Sequence, residues 1–192
     1  NTASNINLRH TLDSGQLFRY WKEGGNYIIV HGKNSFTANQ QGSDVHFSNI
    51  SEEDFSSLFR LDDDYNKILT ELKTDKTLKS AISAYPGLRL LRQDPWECTI
   101  SFLCSSATNI PRIKRDLNNI AKTFGEQKEC IFLFPKIGEI NNLKKIAECG
   151  TGFRAKFIHQ VNSIVTKEFF SRLKKQSYED AKAQLVELPG IG

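Results

Sequence analysis

The hydrophobic period of this chain changes at Pro86-Gly87, and that change constrains the fold more than any other feature. Before it, short apolar runs alternate with Gly- and Asn-rich punctuation. Leu17-Phe18-Arg19-Tyr20-Trp21 runs into Gly24-Gly25-Asn26, Tyr27-Ile28-Ile29-Val30 into Gly32-Lys33-Asn34, and Ser35-Phe36-Thr37-Ala38 into Gln41-Gly42-Ser43; Asp44-Val45-His46-Phe47-Ser48 follows. This spacing predicts an antiparallel meander. Ser51 with Asp54 predicts a capped helix carrying Phe55, Leu58 and Phe59, and two further helical stretches fall near Tyr65–Leu72 and Lys76–Ala84.

After the break the pattern is helical. Asp94-Pro95-Trp96-Glu97 supplies an N-cap, a first-position proline and an acid at the third position, ahead of a buried stripe of Ile100, Leu103 and Cys104. Asn109 and Pro111 open a helix with Ile113, Leu117, Ile120 and Phe124 on one face and Gly125 at its end. Asn142–Cys149 predicts a short helix closed by Gly150. Phe157, Ile158, Val161, Ile164 and Val165 mark a longer helix, and Ser177 with Asp180 caps the last. The expectation is an α+β chain, with a β-rich unit over 1–85 and an all-α unit over 86–192.

Composition narrows the function. No stretch approaches the roughly 18 uninterrupted apolar residues of a membrane span, and no basic-then-apolar signal opens the chain. Cys98, Cys104, Cys130 and Cys149 show no C-x-x-C pairing and read as small core hydrophobes in a reducing compartment. The net charge of +4 is uneven: residues 1–85 carry 9 basic and 11 acidic side chains, residues 86–192 carry 17 and 11. A basic second half suits a phosphate-rich partner, although such a surface is common elsewhere. His10, His31, His46 and His159 have no metal or triad spacing, and Asp62-Asp63-Asp64 reads as a solvated helix start.

The basic half ends in Leu188-Pro189-Gly190-Ile191-Gly192. Its glycines permit positive φ and leave no Cβ between the backbone and an approaching ligand. Backbone N–H groups in such a turn suit a phosphate oxygen. The motif has the form of a helix–hairpin–helix turn, and an ordinary Pro-Gly helix stop is the plainer alternative.

Three separated segments then resemble one family. Leu12-Asp13-Ser14-Gly15-Gln16-Leu17-Phe18-Arg19 is similar to the Gly-Gln-x-Phe-Arg segment of 8-oxoguanine DNA glycosylases. Gly87-Leu88-Arg89-Leu90-Leu91-Arg92-Gln93-Asp94-Pro95-Trp96-Glu97-Cys98, continuing through Ser101–Ser106 to Asn109-Ile110-Pro111-Arg112-Ile113, resembles the signature that opens their helical domain. Gly152-Phe153-Arg154-Ala155-Lys156-Phe157 resembles their Gly-Tyr-Arg-Ala-Arg-Tyr segment. The resemblance runs from Leu12 to Gly192. It implies a TATA-binding-protein-like antiparallel β-lobe followed by a helix–hairpin–helix glycosylase domain, incomplete at its C-terminus. It implies a monomer that acts on duplex DNA containing 8-oxoguanine, inside the cell: at the nucleoid of a prokaryote or in a eukaryotic nucleus. The base is flipped out and excised, and a lysine amine forms a Schiff base that can nick the strand.

The resemblance also assigns residues. Gly15 matches the glycine whose carbonyl accepts the N7–H that 8-oxoguanine has and guanine lacks; two acceptors facing each other would penalise guanine. Phe153, where the family has Tyr, matches the aromatic wedge that fills the space of the extruded base. Arg154 and Arg112 match arginines associated with the orphaned cytosine, and Asn109 matches an asparagine of the same loop, with helix capping as its rival role. Ala107 stands where eukaryotic relatives carry Asn, which implies a weaker preference for cytosine opposite the lesion. Gly190 and Gly192 would present N–H groups to a phosphate. The carbonyls of Val186, Leu188 and Ile191 match positions that hold a monovalent cation, potassium or sodium; no other cofactor is implied. The nucleophilic Lys is expected past Gly192, so the 192 residues read as a fragment that by itself neither cuts the glycosidic bond nor forms the imine. A non-catalytic damaged-DNA-binding module and an alkylpurine glycosylase of the same superfamily are the alternatives.

Overall fold

Alternating apolar positions close the first core. In the computed structural model, which describes residues 1–192, a five-stranded antiparallel sheet has the order β1-β5-β4-β3-β2. Its strands are β1 (Thr2–Ala3), β2 (Tyr20–Glu23), β3 (Asn26–His31), β4 (Asn34–Gln41) and β5 (Asp44–Ser48). Period-two alternation sends Tyr27 and Ile29, Phe36 and Ala38, and Val45 and Phe47 into one core. Helix α2 (Glu52–Phe59) covers them, and Ser51 Oγ accepts from the Asp54 N–H at 3.0 Å, as the capping pattern predicts. The Phe55 ring stacks on Phe47 at 3.9 Å between centroids and meets Phe36 edge-on at 6.0 Å.

Several features depart from the sequence reading. The strand expected over Leu17–Trp21 starts only at Tyr20, because residues 13–16 turn and Leu17 drops into the core. A short helix, α1 (Leu8–Leu12), precedes that turn, capped by Asn7. Helices α3 (Tyr65–Leu72) and α4 (Lys76–Ala84) form where expected but bury no residue. The acidic run between α2 and α3 is more than a solvated helix start. Asp64 caps α3, Asp63 lies 2.7 Å from Arg60 Nε, and Asp62 pairs with Arg92 at 3.2 Å.

The chain divides into two units, Asn1–Val30 with Asn34–Gln93, and His31–Lys33 with Asp94–Gly192. The first therefore runs beyond Pro86-Gly87. Residues 87–93, outside any helix or strand, form a strap sewn into that unit: the Asn7 N–H donates to the Gly87 carbonyl at 2.8 Å and the Arg92 N–H to the Leu58 carbonyl at 2.8 Å.

In the second unit, α5 (Pro95–Ser105) starts at its Asp94 cap, whose carboxylate accepts from the Glu97 N–H at 2.9 Å. Helix α6 (Ile110–Phe124) ends at Gly125, and a small hairpin, β6 (Gln127–Lys128) with β7 (Ile131–Phe132), follows. Then come α7 (Leu143–Ile146), a wide π turn over Ala147–Thr151, a 3₁₀ turn over Gly152–Arg154, α8 (Ala155–Ile164), α9 (Lys167–Leu173) and α10 (Tyr178–Val186). The core holds Trp96, Ile100, Leu103 and Cys104 against Ile113, Leu117, Ile120, Ile146, Ile158 and Val161. Cys98 and Cys130 are exposed, so only Cys104 and Cys149 behave as core hydrophobes. Ile164, expected on a buried face, is 53% exposed at the last turn of α8. No helix is long and apolar enough to cross a membrane.

Candidate nucleic-acid interface

The second unit gathers Ala107, Asn109, Arg112, Phe153 and Arg154 around one loop, apart from the candidate residues of the hairpin. Between α5 and α6 the chain passes through Ser106 and Ala107, and Ala107 is left-handed with φ 49°. A left-handed alanine costs about 1–2 kcal/mol, so something must hold it there. Arg154 does. Its Nε and Nη2 donate to the Ser106 carbonyl at 2.8 and 2.6 Å, Nη2 reaches the Ala107 carbonyl at 3.3 Å, and Nη1 donates to the Thr151 carbonyl at 3.1 Å. The residue is 3% exposed. Its fork is thus spent on backbone oxygens rather than extended outward, because those loop carbonyls have no strand or helix partner.

Phe153, the preceding residue, does the opposite. It is 59% exposed, with the Arg154 guanidinium 4.9 Å from its ring centroid. A 3₁₀ turn makes this split: three residues per turn separates the directions of neighbouring side chains, sending one inward and one outward.

Arg112 joins the same cluster. Asn109 caps α6 by accepting from the Arg112 N–H at 3.1 Å, so its capping role is real. Arg112 sits in the first turn of the helix, where the macrodipole disfavours a cation. Asp116, fully buried one turn later, offsets this with an oxygen 3.7 Å from Arg112 Nε, and its other oxygen accepts from Arg115 at 3.0 Å. Arg112 Nη2 also donates to the Gly150 carbonyl at 3.1 Å. Burial pushes the neighbouring Cys104 thiol up to about 12, with the Asp116 charge adding to it.

The hairpin turn follows α10 and lies against Phe157 of α8. The Ile191 N–H donates to the Leu188 carbonyl at 3.1 Å, closing a four-residue turn with Pro189 second and Gly190 third at φ 81°. Proline then glycine is the type II pattern, and only glycine adopts that φ without strain. A Cβ on Gly190 would also come within 2.7 Å of the Phe157 ring, one helical turn beyond Phe153. A Cβ on Gly192 would come 2.6 Å from the Val186 carbonyl oxygen, so this approach is open only to glycine. The carbonyls of Val186, Leu188 and Ile191 are oxygen donors, the kind a hard monovalent cation takes, and Leu188 keeps a second lone pair after bonding Ile191.

Gly15 belongs to the first unit. It is half-buried at φ 83°, in the turn that follows α1. Asp13 and Tyr20 bracket that turn, with the Tyr20 hydroxyl donating to Asp13 Oδ1 at 2.8 Å. Burial first, then that carboxylate, pushes the Tyr20 hydroxyl well above its ordinary range.

A sequence model described as 8-oxoguanine DNA glycosylase, N-terminal domain, matches residues 1–99. An Arabidopsis thaliana protein named N-glycosylase/DNA lyase OGG1 is 32% identical over 100% of the chain. The chain belongs to the 8-oxoguanine DNA glycosylase family. It spans 59% of the length of that relative, and 52% of a Methanothermobacter thermautotrophicus protein named probable N-glycosylase/DNA lyase, 28% identical over 70% of the chain. The solved 8-oxoguanine glycosylase/lyase of Clostridium acetobutylicum, in its apo form, superposes with a TM-score of 0.92 at 32% identity, covering 99% of this chain and 71% of that one. The same enzyme bound to duplex DNA with cytosine opposite 8-oxoguanine gives 0.90. A 3-methyladenine DNA glycosylase of Archaeoglobus fulgidus, at 15% identity and a TM-score of 0.75, shares the fold alone.

Within this family frame, two residues escaped the sequence reading. Asp116 was legible as an acid four positions after Arg112 on one helix face. Gln16 was not, because its partners lie more than seventy positions away.

Proposed function

We propose that the protein containing these residues is a bifunctional base-excision enzyme that flips 8-oxoguanine from duplex DNA, cuts its N-glycosidic bond and nicks the strand by a lyase step. The observation that carries this reading is the Ser106–Arg112 and Gly150–Arg154 cluster: a rigid, partly cationic platform from which one aromatic side chain stands free. Phe153 enters the duplex and stacks where the base has left, which limits the cost of unstacking. Arg112, 47% exposed along its side chain, faces the orphaned partner base. Arg154 acts beneath them, through the carbonyls it holds. The hairpin N–H groups of Gly190 and Gly192 grip a phosphate, and potassium or sodium on the carbonyls of Val186, Leu188 and Ile191 stiffens that turn and adds positive charge. Gly15 reads the N7–H of the flipped base. The protein works as a monomer inside the cell, beside the genome.

The reacting amine is the family's lysine, which the resemblance places after the second glycine of the hairpin. Its Nζ attacks C1′, the C1′–N9 bond breaks with its electron pair leaving on the base, and the base takes up a proton. Opening of the sugar gives the imine. Borohydride reduces that imine to an amine and freezes the adduct. Full-length protein mixed with an 8-oxoguanine:cytosine duplex and borohydride is expected to form a covalent complex, and none with undamaged duplex. Damage-selective binding without any adduct would instead indicate a non-catalytic module.

A further inference from the structure

The turn that carries Gly15 is closed by an amide that imitates a neighbouring strand. Gln16 Nε2 donates to the Arg89 carbonyl at 2.8 Å, and Gln16 Oε1 accepts from the Leu91 N–H at 2.7 Å. One side chain thus bonds the two residues flanking Leu90, as a paired parallel strand bonds the residues on either side of its partner. The same Nε2 lies 2.9 Å from Ser14 Oγ and 3.2 Å from the Thr11 carbonyl. Thr11 Oγ1 returns to the strap by accepting from the Arg89 N–H at 3.1 Å, in a buried setting.

The strap itself is well anchored. Arg89, 6% exposed, donates from Nε to the Asn5 carbonyl at 3.1 Å and from Nη1 to the Arg60 carbonyl at 2.9 Å, with its guanidinium 4.1 Å from the Tyr65 ring centroid. Both ends of the Gln16 amide are therefore fastened to a fixed support, one peptide unit from Gly15. The Gly15 carbonyl is not among the acceptors this network uses.

A carbonyl that separates an N–H from a bare lone pair must be held within about half an ångström. Gly15 has no side chain with which to hold itself. We propose that Gln16 is the positioning residue of the lesion-reading turn: by pairing with Arg89 and Leu91 it sets where the Gly15 carbonyl stands, and hence how sharply 8-oxoguanine is told from guanine. This inference rests on the reading of Gly15 given above.

The test is binding by full-length protein to three duplexes, carrying 8-oxoguanine, guanine or a tetrahydrofuran abasic analogue opposite cytosine. The readout is the ratio of guanine to 8-oxoguanine Kd. Gln16→Leu removes both bonds to the strap, with the local contacts to Ser14 and Thr11, and is expected to shrink that ratio about tenfold, equivalent to about 1.4 kcal/mol, with tetrahydrofuran Kd within about twofold of wild type. Gln16→Glu keeps the acceptor for Leu91, loses the donor to Arg89, and should fall between. A folded Gln16→Leu protein with the wild-type ratio overturns the proposal. So does an equal loss on all three duplexes, which would make Gln16 merely structural. Should Gln16→Leu not fold, Gln16→Glu decides by the same ratio: reduced supports, unchanged overturns. A wild-type protein that does not separate the two bases sinks the Gly15 reading itself, a result distinct from either.

Discussion

In the first unit the turn at Gly15 is fastened by a neutral amide, Gln16, whereas in the second the turn at Gly152–Arg154 is fastened by a cation, Arg154. Both long side chains take the place of missing secondary structure by bonding backbone groups. They differ in what their loss leaves behind. Without Gln16, the Leu91 N–H and the Arg89 carbonyl lose a partner beside a strap with bonds of its own, and the Thr11 carbonyl and Ser14 Oγ lose a local one. Without Arg154, three carbonyls lose theirs, and Ala107 is left in a left-handed conformation with nothing to hold it. On the proposed function, the Gly15 turn would read a base through one atom and can rest on a light clamp, whereas the Phe153 turn would push an aromatic ring into a duplex and needs a stiff base.

The sharpest way to break this contrast is Arg154→Met, which should cost about 3 kcal/mol of unfolding free energy in urea, from unpaired buried carbonyls and lost charge-assisted bonds. Arg154→Lys should restore less than half, since a point charge cannot serve three acceptors as a fork does. Stability equal to wild type in Arg154→Met would remove the brace. Phe153→Ala, next door, should leave unfolding within about 0.5 kcal/mol of wild type. In the full-length protein, if the proposed function holds, the excision rate on 8-oxoguanine duplexes should nevertheless fall by about 1.5–2.5 kcal/mol in activation terms, a loss of stacking and wedging. Gly190→Ala, which meets both a positive φ and the Phe157 ring, should weaken duplex binding about tenfold and lower stability by about 1–2 kcal/mol in thermal melts.

Smaller effects refine the picture. Ala107→Asn should raise stability by about 0.5 kcal/mol, because Asn tolerates the left-handed region, and should increase preference for cytosine opposite the lesion in excision assays. The least effect belongs to Asp62, whose carboxyl Arg92 holds below the ordinary aspartate range. Because the folded value is depressed, its contribution is present above the unfolded aspartate pKa of about 4 and fades as pH falls further. Wild type should therefore exceed Asp62→Asn in melting temperature at pH 7 by a small margin that disappears in acid.

Much of this arrangement was readable in advance where the physics is local. Ser51, Asp94, Asn109 and Ser177 all cap helices at the positions their neighbours announced, since a cap needs only a residue three places away. The apolar run Tyr27–Val30 with its Gly/Asn flanks and the alternation in Asp44–Ser48 placed two strands for the same reason. Elsewhere local signals misled. The apolar run Leu17–Trp21 looked like a strand, but its first part is drawn into a turn and core. Cys98 sat in an apolar pattern yet faces outward on α5. Arg154 was readable as a guanidinium suited to a base; nothing in the chain said that loop carbonyls would occupy it.

What the sequence by itself determined is the α+β order, the caps, the hairpin glycines and the family motifs, because each depends on backbone chemistry within a few residues. Only the tertiary structure decided that Gln16 pairs with a strap more than seventy positions away, that Asp116 is buried beneath Arg112, and that Phe153 is free while Arg154 is engaged. The physical reason is that an unpaired carbonyl or N–H takes whatever partner the packed chain brings near, and a linear pattern does not contain that distance.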